Sequence, residues 1–207
     1  FYSKLDEHHR PRTIYRHKIG TPVKEDKLIF EEKSEAFTVG IGLSSDEKYF
    51  MITSSDHNTS EQYYFKIDEN NPNPKLIQKR KRGIIYSVNS WDGYFYKHTN
   101  ENAEDFKIDR CNDLVDQNWK PFVDAKDEVL IGGLVFLNHW IIRSETSNAL
   151  GKIILRDPKT NKEEEIIFSD EKVIVPGISL IQKDKNTDNV YLSYSSPKTP
   201  GRTFLYN

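Results

Sequence analysis

Residues 38–79 read TVGIGLSSDEKYFMITSSDHNTSEQYYFKIDENNPNPKLIQK, and this stretch decides the fold. Four short runs rich in aromatic and β-branched residues lie within it, at 38–43, 49–53, 62–67 and 75–78. Asn, Asp, Ser and Pro fill the gaps, and because these residues favour turns the pattern predicts four successive strands. Four strands within 42 residues are typical of one blade of a β-propeller.

The same unit recurs along the chain. The turn between its first two strands contains Asp46, and comparable turns follow at Asp92, Asn138 and Asp188, at intervals of 46, 46 and 50 residues. A fixed period of about 40–50 residues is typical of a propeller, whereas a β-sandwich predicts no fixed period. We therefore predict an all-β partial β-propeller and rank the sandwich below it.

The predicted architecture has three complete four-stranded blades and two incomplete ones. The complete blades cover 38–79, 84–123 and 129–168. Incomplete blades cover 1–33, where the first strand is missing, and 173–207. Within the second complete blade, residues 109–118 form a longer insertion with a helix-capable fragment.

Composition indicates a folded domain without a strongly charged surface. The chain has 207 residues, with 30 Lys and Arg against 32 Asp and Glu, so no overall field directs it to nucleic acid or to a membrane. Its longest apolar stretch, 129–137, has nine residues, whereas a membrane-spanning helix needs about 20. The single cysteine, Cys111, excludes an internal disulfide and favours a reducing compartment, so we expect the cytoplasm. The first residue is Phe1 and not Met, and we expect the chain to be part of a longer protein.

The sequence does not contain a complete nucleophile motif. In α/β-hydrolases the catalytic serine lies in Gly-x-Ser-x-Gly, at a turn between a strand and a helix. Residues 42–46 and 177–181 contain the first Gly and the Ser, at Ser44 and Ser179, but lack the closing Gly. Both segments also lie in β-rich regions with no following helix. We therefore predict no catalytic residue in this chain.

The histidines give no site either. His8 and His9 are adjacent in an extended segment, so they point to opposite faces and form a solvated turn, not a metal site. His57 shares one loop with Ser55 and Asp56, and three neighbours in one loop cannot adopt the geometry of a catalytic triad. We interpret that loop as a hydrogen-bonded cluster, and we predict no metal-binding and no cofactor-binding residues.

The glycines and the charged runs have structural explanations. First strands should converge on the propeller axis, and glycine there indicates close backbone approach; they contain Gly40, Gly42, Gly132, Gly133 and Gly177. Charged runs flank the fourth strands at the outer rim, where they discourage strand addition; they are 31–32, 79–82 and 163–165. The basic run at 79–82 is interpreted as a solvated connection and not as a phosphate site.

The cysteine and the tryptophans are also read as structural. Arg110 precedes Cys111 and could lower the pKa of its thiol, but no neighbouring motif marks it as a nucleophile. Trp91, Trp119 and Trp140 lie at strand ends, where core packing is the default interpretation.

Several segments resemble one family. They are Tyr2 to Thr21, with Arg10-Pro11 and Tyr15-Arg16-His17, the run Ser54 to Glu61, His98-Thr99-Asn100 with Phe106-Lys107-Ile108, and Leu192 to Ser196. Together they are similar to the propeller of the oligopeptidase B group within the prolyl oligopeptidase family of serine peptidases, over essentially the whole chain.

The resemblance implies the following expectations. A seven-bladed propeller caps an α/β-hydrolase domain with the Ser, Asp and His triad, and this chain corresponds to roughly the later half of the propeller. That catalytic domain would be its partner in the same polypeptide, and the chain alone should be inactive. The parent would hydrolyse oligopeptides after Lys or Arg, with the propeller limiting entry. The alternative is a stand-alone propeller that binds a protein partner.

Incomplete blades leave apolar faces without a neighbour. Exposed apolar patches favour association. We therefore expect the chain alone to associate with itself through these open faces, or its incomplete blades to be partly disordered.

Overall fold

A computed structural model describes residues 1–168, 174–179 and 187–206. It contains five sheets, each built from strands that follow one another in the chain. The helical structure of the described residues is limited to one 3-10 turn, Val23–Glu25. No helix in this described part is long and apolar enough to cross a membrane.

We number the sheets in chain order. Sheet 1 contains β1 (Tyr2–Leu5), β2 (Pro11–Arg16) and β3 (Lys27–Glu31). Sheet 2 contains β4 (Thr38–Leu43), β5 (Tyr49–Ser55), β6 (Ser60–Lys66) and β7 (Lys75–Gln78). Sheet 3 contains β8 (Tyr86–Trp91), β9 (Tyr94–Thr99), β10 (Lys107–Cys111) and β11 (Lys120–Val123).

The last two sheets follow the same order. Sheet 4 contains β12 (Leu130–Phe136), β13 (Ile141–Ser147), β14 (Leu150–Arg156) and β15 (Glu163–Glu165). Sheet 5 contains β16 (Val175–Ser179), β17 (Val190–Ser195) and β18 (Arg202–Tyr206). The described residues therefore form three sheets of four strands and two of three strands, as predicted for three complete and two incomplete blades.

The observed strands differ from the prediction mainly at their ends. β13 runs over Ile141–Ser147, whereas only 140–142 was expected, because polar residues that gave no apolar signal continue the ladder. The helix-capable fragment in 109–118 is wrong: β10 continues to Cys111, and turns without a helix follow it. Parts of the last predicted blade, at 173, 180–181 and 185–186, lie outside the described residues.

The chain divides into two compact units. The first contains Phe1–Asn102 with Ile108–Phe122, and the second contains Ala103–Lys107 and the described residues from Val123 onward. In the first unit β6 packs against β8, and in the second β14 packs against β16, so the third strand of a sheet meets the first strand of the next. β2 packs against β4 in the same way. β2 thus takes the place of a third strand, which is the arrangement expected if sheet 1 lacks its first strand.

Alternating side chains on each strand supply the cores between sheets. In β5, Ile52 packs in a cluster with Ile14 of sheet 1, and its neighbour Met51 packs with Tyr86 of sheet 3. Successive residues of a strand point to opposite faces, so one strand serves two interfaces. In the second unit, Ile153 of sheet 4 and Leu192 of sheet 5 belong to one buried cluster.

Hydrogen bonds also join consecutive sheets at the hairpins that the sequence period identified. In the first unit, the Ser45 amide donates to Asn89 Oδ1 (2.7 Å) and Ser90 Oγ donates to Asp46 Oδ2 (2.8 Å). In the second, the His139 amide donates to Asp188 Oδ1 (2.7 Å). We call these contacts the hairpin links.

Candidate functional site

A cleft of about 380 Å³ lies between the first strands of sheets 4 and 5, within the second unit. The residues that line it are Gly133, Leu134, Val135, Ser144, Ile153, Pro176, Gly177 and Ile178. Its volume falls at the lower end of the range usual for ligand sites. We refer to it as the β12–β16 cleft.

A β-bulge shapes one wall of the cleft. Ile131 pairs with Glu145 and Leu134 pairs with Arg143, so Gly132 and Gly133 together face Ser144 alone. A Cβ on Gly132 would overlap Ser144 Oγ, whereas a Cβ on Gly133 would meet nothing within 4 Å. Gly132 therefore permits the close approach of Ser144, and Gly133 leaves its backbone bare at the cleft.

The opposite wall depends on glycine as well. Gly177 pairs with Ser193, and a Cβ on Gly177 would lie 2.6 Å from Ser193 Oγ. The ring of Pro176 packs against Gly151, where a Cβ would lie 2.5 Å from Pro176 Cδ. Proline has no amide hydrogen to donate to a ladder, so it is tolerated on an edge strand such as β16.

The floor of the cleft is part of the packed core. Ile153 is fully buried, and Val135 and Ile178 pack against the same cluster. Because interiors are close-packed, these side chains hold the floor in one arrangement.

The chemistry of the described lining suits binding of an apolar group. None of the eight lining residues within the described ranges is charged, and the Ser144 hydroxyl is the one polar side-chain group among them. The cleft can therefore hold an uncharged group, with hydrogen bonds from Ser144 and from bare backbone.

The two serines of the incomplete nucleophile motifs have structural positions. Ser44 is buried; its Oγ donates to Asp46 Oδ1 (2.7 Å) and accepts from the Tyr49 amide (3.1 Å), which closes the hairpin between β4 and β5. Ser179 ends β16, where its backbone pairs with Tyr191. Residues 180–181 of that motif lie outside the described residues. β5 and not a helix follows Ser44.

The histidine segments are exposed turns, as interpreted from the sequence. His8 and His9 are both exposed, and His9 has a positive φ of 59°. Asp56 Oδ1 accepts from the Asn58 and Thr59 amides, at 2.9 and 2.8 Å. That loop is therefore a hydrogen-bonded turn, with His57 on its exposed side. Within the described ranges no group of three or more His, Cys, Asp or Glu residues is placed to hold a metal ion.

The glycine prediction is confirmed in part. Close approach occurs at Gly132 and Gly177, each next to a serine of the neighbouring strand. It is wrong at Gly40, Gly42 and Gly133, where a Cβ would meet nothing within 4 Å.

The charged runs at 31–32 and 79–82 are not wholly solvated. Glu32 is 3% exposed, and both of its carboxylate oxygens accept from Arg80 Nη2, at 3.2 and 2.9 Å. The Arg80 amide donates to Glu61 Oε2 (2.8 Å), and its guanidinium lies 4.1 Å from the centre of the Phe37 ring. Lys79, Lys81 and Arg82 are exposed as expected. We call Glu32, Arg80 and Glu61 the Arg80 clasp.

The contacts of the Arg80 clasp explain why Glu32 is ionised. Burial alone would raise the pKa of Glu32, but hydrogen bonds from Ser54 and Ser34 and the charge of Arg80 hold it below its ordinary value. The ionised carboxylate therefore persists in the interior. The solvated interpretation is wrong for Arg80, and Glu32 is a buried residue and not a charge on the outer rim, because each finds its partner far away in sequence.

A buried cation lies in sheet 4. Arg143 is 1% exposed and forms a bidentate pair with Glu163 (2.8 Å to each oxygen), and its Nη2 donates to Glu145 Oε1 (2.6 Å). Burial works against ionisation of Glu163, but Arg143 and Arg156 outweigh it and lower the pKa of Glu163 to about 2. Glu163 is itself exposed on β15, but it is paired with a buried cation and is not only a charge on the rim.

The expected effect of Arg110 on Cys111 is wrong. Burial raises the pKa of the Cys111 thiol to about 11, and the Arg110 guanidinium instead lies 4.5 Å from the centre of the Tyr94 ring. Trp91 is 8% exposed. Trp119 and Trp140 pack against the clusters of their own units, so the core interpretation is confirmed.

Sequence reasoning missed the β12–β16 cleft. Its signal was the small residues Gly132-Gly133 and Pro176-Gly177, placed in the first strands of two successive units. The pattern alone could not show which of these glycines border open space.

A comparison with protein families and a comparison with curated proteins both match the whole chain. The family described as prolyl oligopeptidase, N-terminal beta-propeller domain, matches residues 1–207. Among curated proteins, Protease 2 of Moraxella lacunata is 31% identical over 220 residues, which cover 100% of this chain and 29% of that protein.

Two solved structures share the fold. Oligopeptidase B from Trypanosoma brucei, with covalently bound antipain in its closed form, has a TM-score of 0.90 at 22% identity, over 99% of this chain and 30% of that one. Oligopeptidase B from Leishmania major has a TM-score of 0.88 at 18% identity, over 100% of this chain and 30% of that one. At these identities the likeness shows the fold, the partial β-propeller expected from the sequence. The chain spans just under a third of the length of these relatives.

Proposed function

This chain belongs to the prolyl oligopeptidase N-terminal β-propeller family, and from that membership we propose that it is the substrate-gating part of an oligopeptidase B-like serine endopeptidase. The proposed enzyme hydrolyses oligopeptides after Lys or Arg. The observation that carries the proposal is the family match over the whole chain together with 31% identity to Protease 2.

In this proposal the chemistry belongs to a partner domain in the same polypeptide. An α/β-hydrolase domain would supply the serine nucleophile, the histidine base and the acid that orients it. The propeller's part is enclosure: closure around a site excludes water and bulky substrates. The sheets described above suit that part, because consecutive sheets within each unit share buried cores and the sequence contains no complete nucleophile motif.

The test uses the protein expressed from its complete reading frame. We expect it to cleave short peptides after Arg and Lys at least about tenfold faster, in kcat/KM, than matched peptides with Glu or Leu at that position. A serine-directed inhibitor should abolish the reaction. A reading frame without Gly-x-Ser-x-Gly, or cleavage without this preference, would contradict the proposed enzyme and favour a propeller that binds a protein partner.

Gating is tested with one cleavage sequence in three settings. The sequence is offered as a short peptide, inside a folded protein and inside the same protein unfolded. If the propeller excludes substrates by size, only the short peptide should be cleaved. Cleavage of the folded protein at the same rate as the peptide would contradict gating. Cleavage of the unfolded but not the folded protein would show that accessibility of the bond, and not size, decides.

We also propose a cytoplasmic location, which the single buried Cys111 supports. Cell fractionation tests it, with recovery among secreted proteins as the contradicting outcome.

A further inference from the structure

We propose that the β12–β16 cleft binds an apolar side chain of the peptide substrate, at a position away from the bond that is cleaved. The inference rests on the proposed function, because it takes the occupant to be an oligopeptide.

The lining selects against charge. A charged side chain that entered would lose water without gaining a charged partner among the described lining residues, none of which carries a charge. Leu134, Ile153 and Ile178 offer apolar contact instead. The complementary group is therefore aliphatic or aromatic.

The walls suit an extended peptide. β12 and β16 are both edge strands of their sheets. An edge strand directs unpaired N–H and C=O groups outward, and extended peptides add to such edges while pockets take their alternate side chains. Gly133 has no side chain to keep another backbone away, since a Cβ there would meet nothing within 4 Å, and the Ser144 hydroxyl adds a hydrogen-bonding group. On β12 the Ile131 amide already donates to the Asp105 carbonyl oxygen (2.9 Å), so a peptide would pair further along the strand, beside Gly133. A cleft between two edge strands therefore fits a peptide better than an enclosed small molecule.

The test compares two glycine variants of the whole protein. Gly133→Leu fills the cleft, and the backbone tolerates it because a Cβ there meets nothing within 4 Å. Gly40→Leu is the matched control: Gly40 also lies in a first strand with open surroundings, but in the other unit. Unchanged thermal unfolding would show that both variants are folded.

Substrates are pairs of arginyl peptides. The two members of a pair carry Leu or Asp at the same position, and that position varies from pair to pair. In the unaltered protein we expect KM to be about tenfold lower for the best Leu peptide than for its Asp counterpart. Gly133→Leu should remove this difference and leave a single-residue arginyl substrate unaffected. Gly40→Leu should retain the difference.

A binding measurement separates the two proposals. An uncleavable leucine peptide, with an aspartate peptide as control, is added while the methyl resonances of Leu134 are followed. If arginyl peptides are cleaved but Gly133→Leu leaves the Leu preference intact, the cleft inference is overturned and the proposed function stands. If cleavage fails but the leucine peptide alone shifts Leu134, the proposed enzyme is overturned and the cleft stands as a peptide site. If neither occurs, both are overturned.

Discussion

Arg80 shows, at the scale of a single residue, how one side chain joins distant parts of the chain. It reaches Glu32, 48 residues away, and Glu61, 19 residues away. Both acids are buried. Removal of one partner of a buried ion pair leaves an uncompensated charge, which is more damaging than the pair is stabilising.

We predict that Arg80→Met lowers the free energy of unfolding by about 3 kcal/mol. Urea unfolding of the two proteins measures the difference. Arg82→Met is the control, because Arg82 is exposed in the same basic run and should change stability by less than about 0.5 kcal/mol. Glu32→Gln added to Arg80→Met should recover part of the loss. Equal effects of Arg80→Met and Arg82→Met would contradict the clasp.

The low pKa of Glu163 leads to a prediction about how stability depends on pH. Its pKa of about 2 in the folded chain lies below the ordinary 4.5. Such a group contributes stability above pH 4.5 that is lost as the pH falls toward 2. We expect the difference in unfolding free energy between the unaltered chain and Glu163→Gln to be largest at pH 7 and to shrink between pH 4.5 and 2.

The neighbouring Glu164 provides the control for this titration. It is exposed on the same strand, β15, and Glu164→Gln should change stability little at any pH. Each variant keeps every other carboxyl group, so the titration of those groups cancels when a variant is compared with the unaltered chain. A stability difference for Glu163→Gln that stays constant with pH would therefore contradict the low pKa of Glu163.

At the scale of an element, the β-bulge of β12 sets two adjacent glycines in opposite surroundings. Gly132→Ala should lower the free energy of unfolding by about 1–3 kcal/mol, because the new methyl group would overlap Ser144 Oγ and lie 2.9 Å from its carbonyl oxygen. Gly133→Ala should instead be neutral or raise stability by up to about 1 kcal/mol, since it restricts the unfolded chain without a clash. Thermal or urea unfolding measures both. Equal losses would contradict the bulge.

Individual strands show which features of the fold the sequence can predict and which it cannot. Strands with clear alternation, such as β4, were predicted to the residue, since a period of two is readable locally. The end of β13, residues 143–147, is not predicted because its polar residues are held by ladder pairing and not by apolar burial. Burial of Glu32 depends on a partner 48 residues away, and the β12–β16 cleft depends on the packing of two sheets. Neither is visible in a local pattern.

At the scale of the whole molecule, two strands offer open sheet edges. All residues of β1 and of β18 are exposed, and each strand ends a three-stranded sheet. Leu5 is 50% exposed and Leu205 is 52% exposed. An exposed apolar edge is a template for pairing with another chain.

We therefore predict that the chain, produced alone, associates with itself in a concentration-dependent manner. Light scattering should give a mass above the 24.2 kDa of one chain. Leu205→Lys should weaken association, since a charge on an edge strand discourages pairing, whereas Lys75→Arg on the outer strand of sheet 2 should not. A single species of one-chain mass at all concentrations would contradict the prediction.

Each hairpin link joins one sheet to the next sheet in the chain. Asp46 and Ser90 are 44 positions apart, and His139 and Asp188 are 49 positions apart. Each sheet is itself made of consecutive strands. A growing polypeptide could thus complete one sheet as it leaves the ribosome and use it as the template for the following one. Contacts that join only neighbouring sheets favour stepwise folding during synthesis.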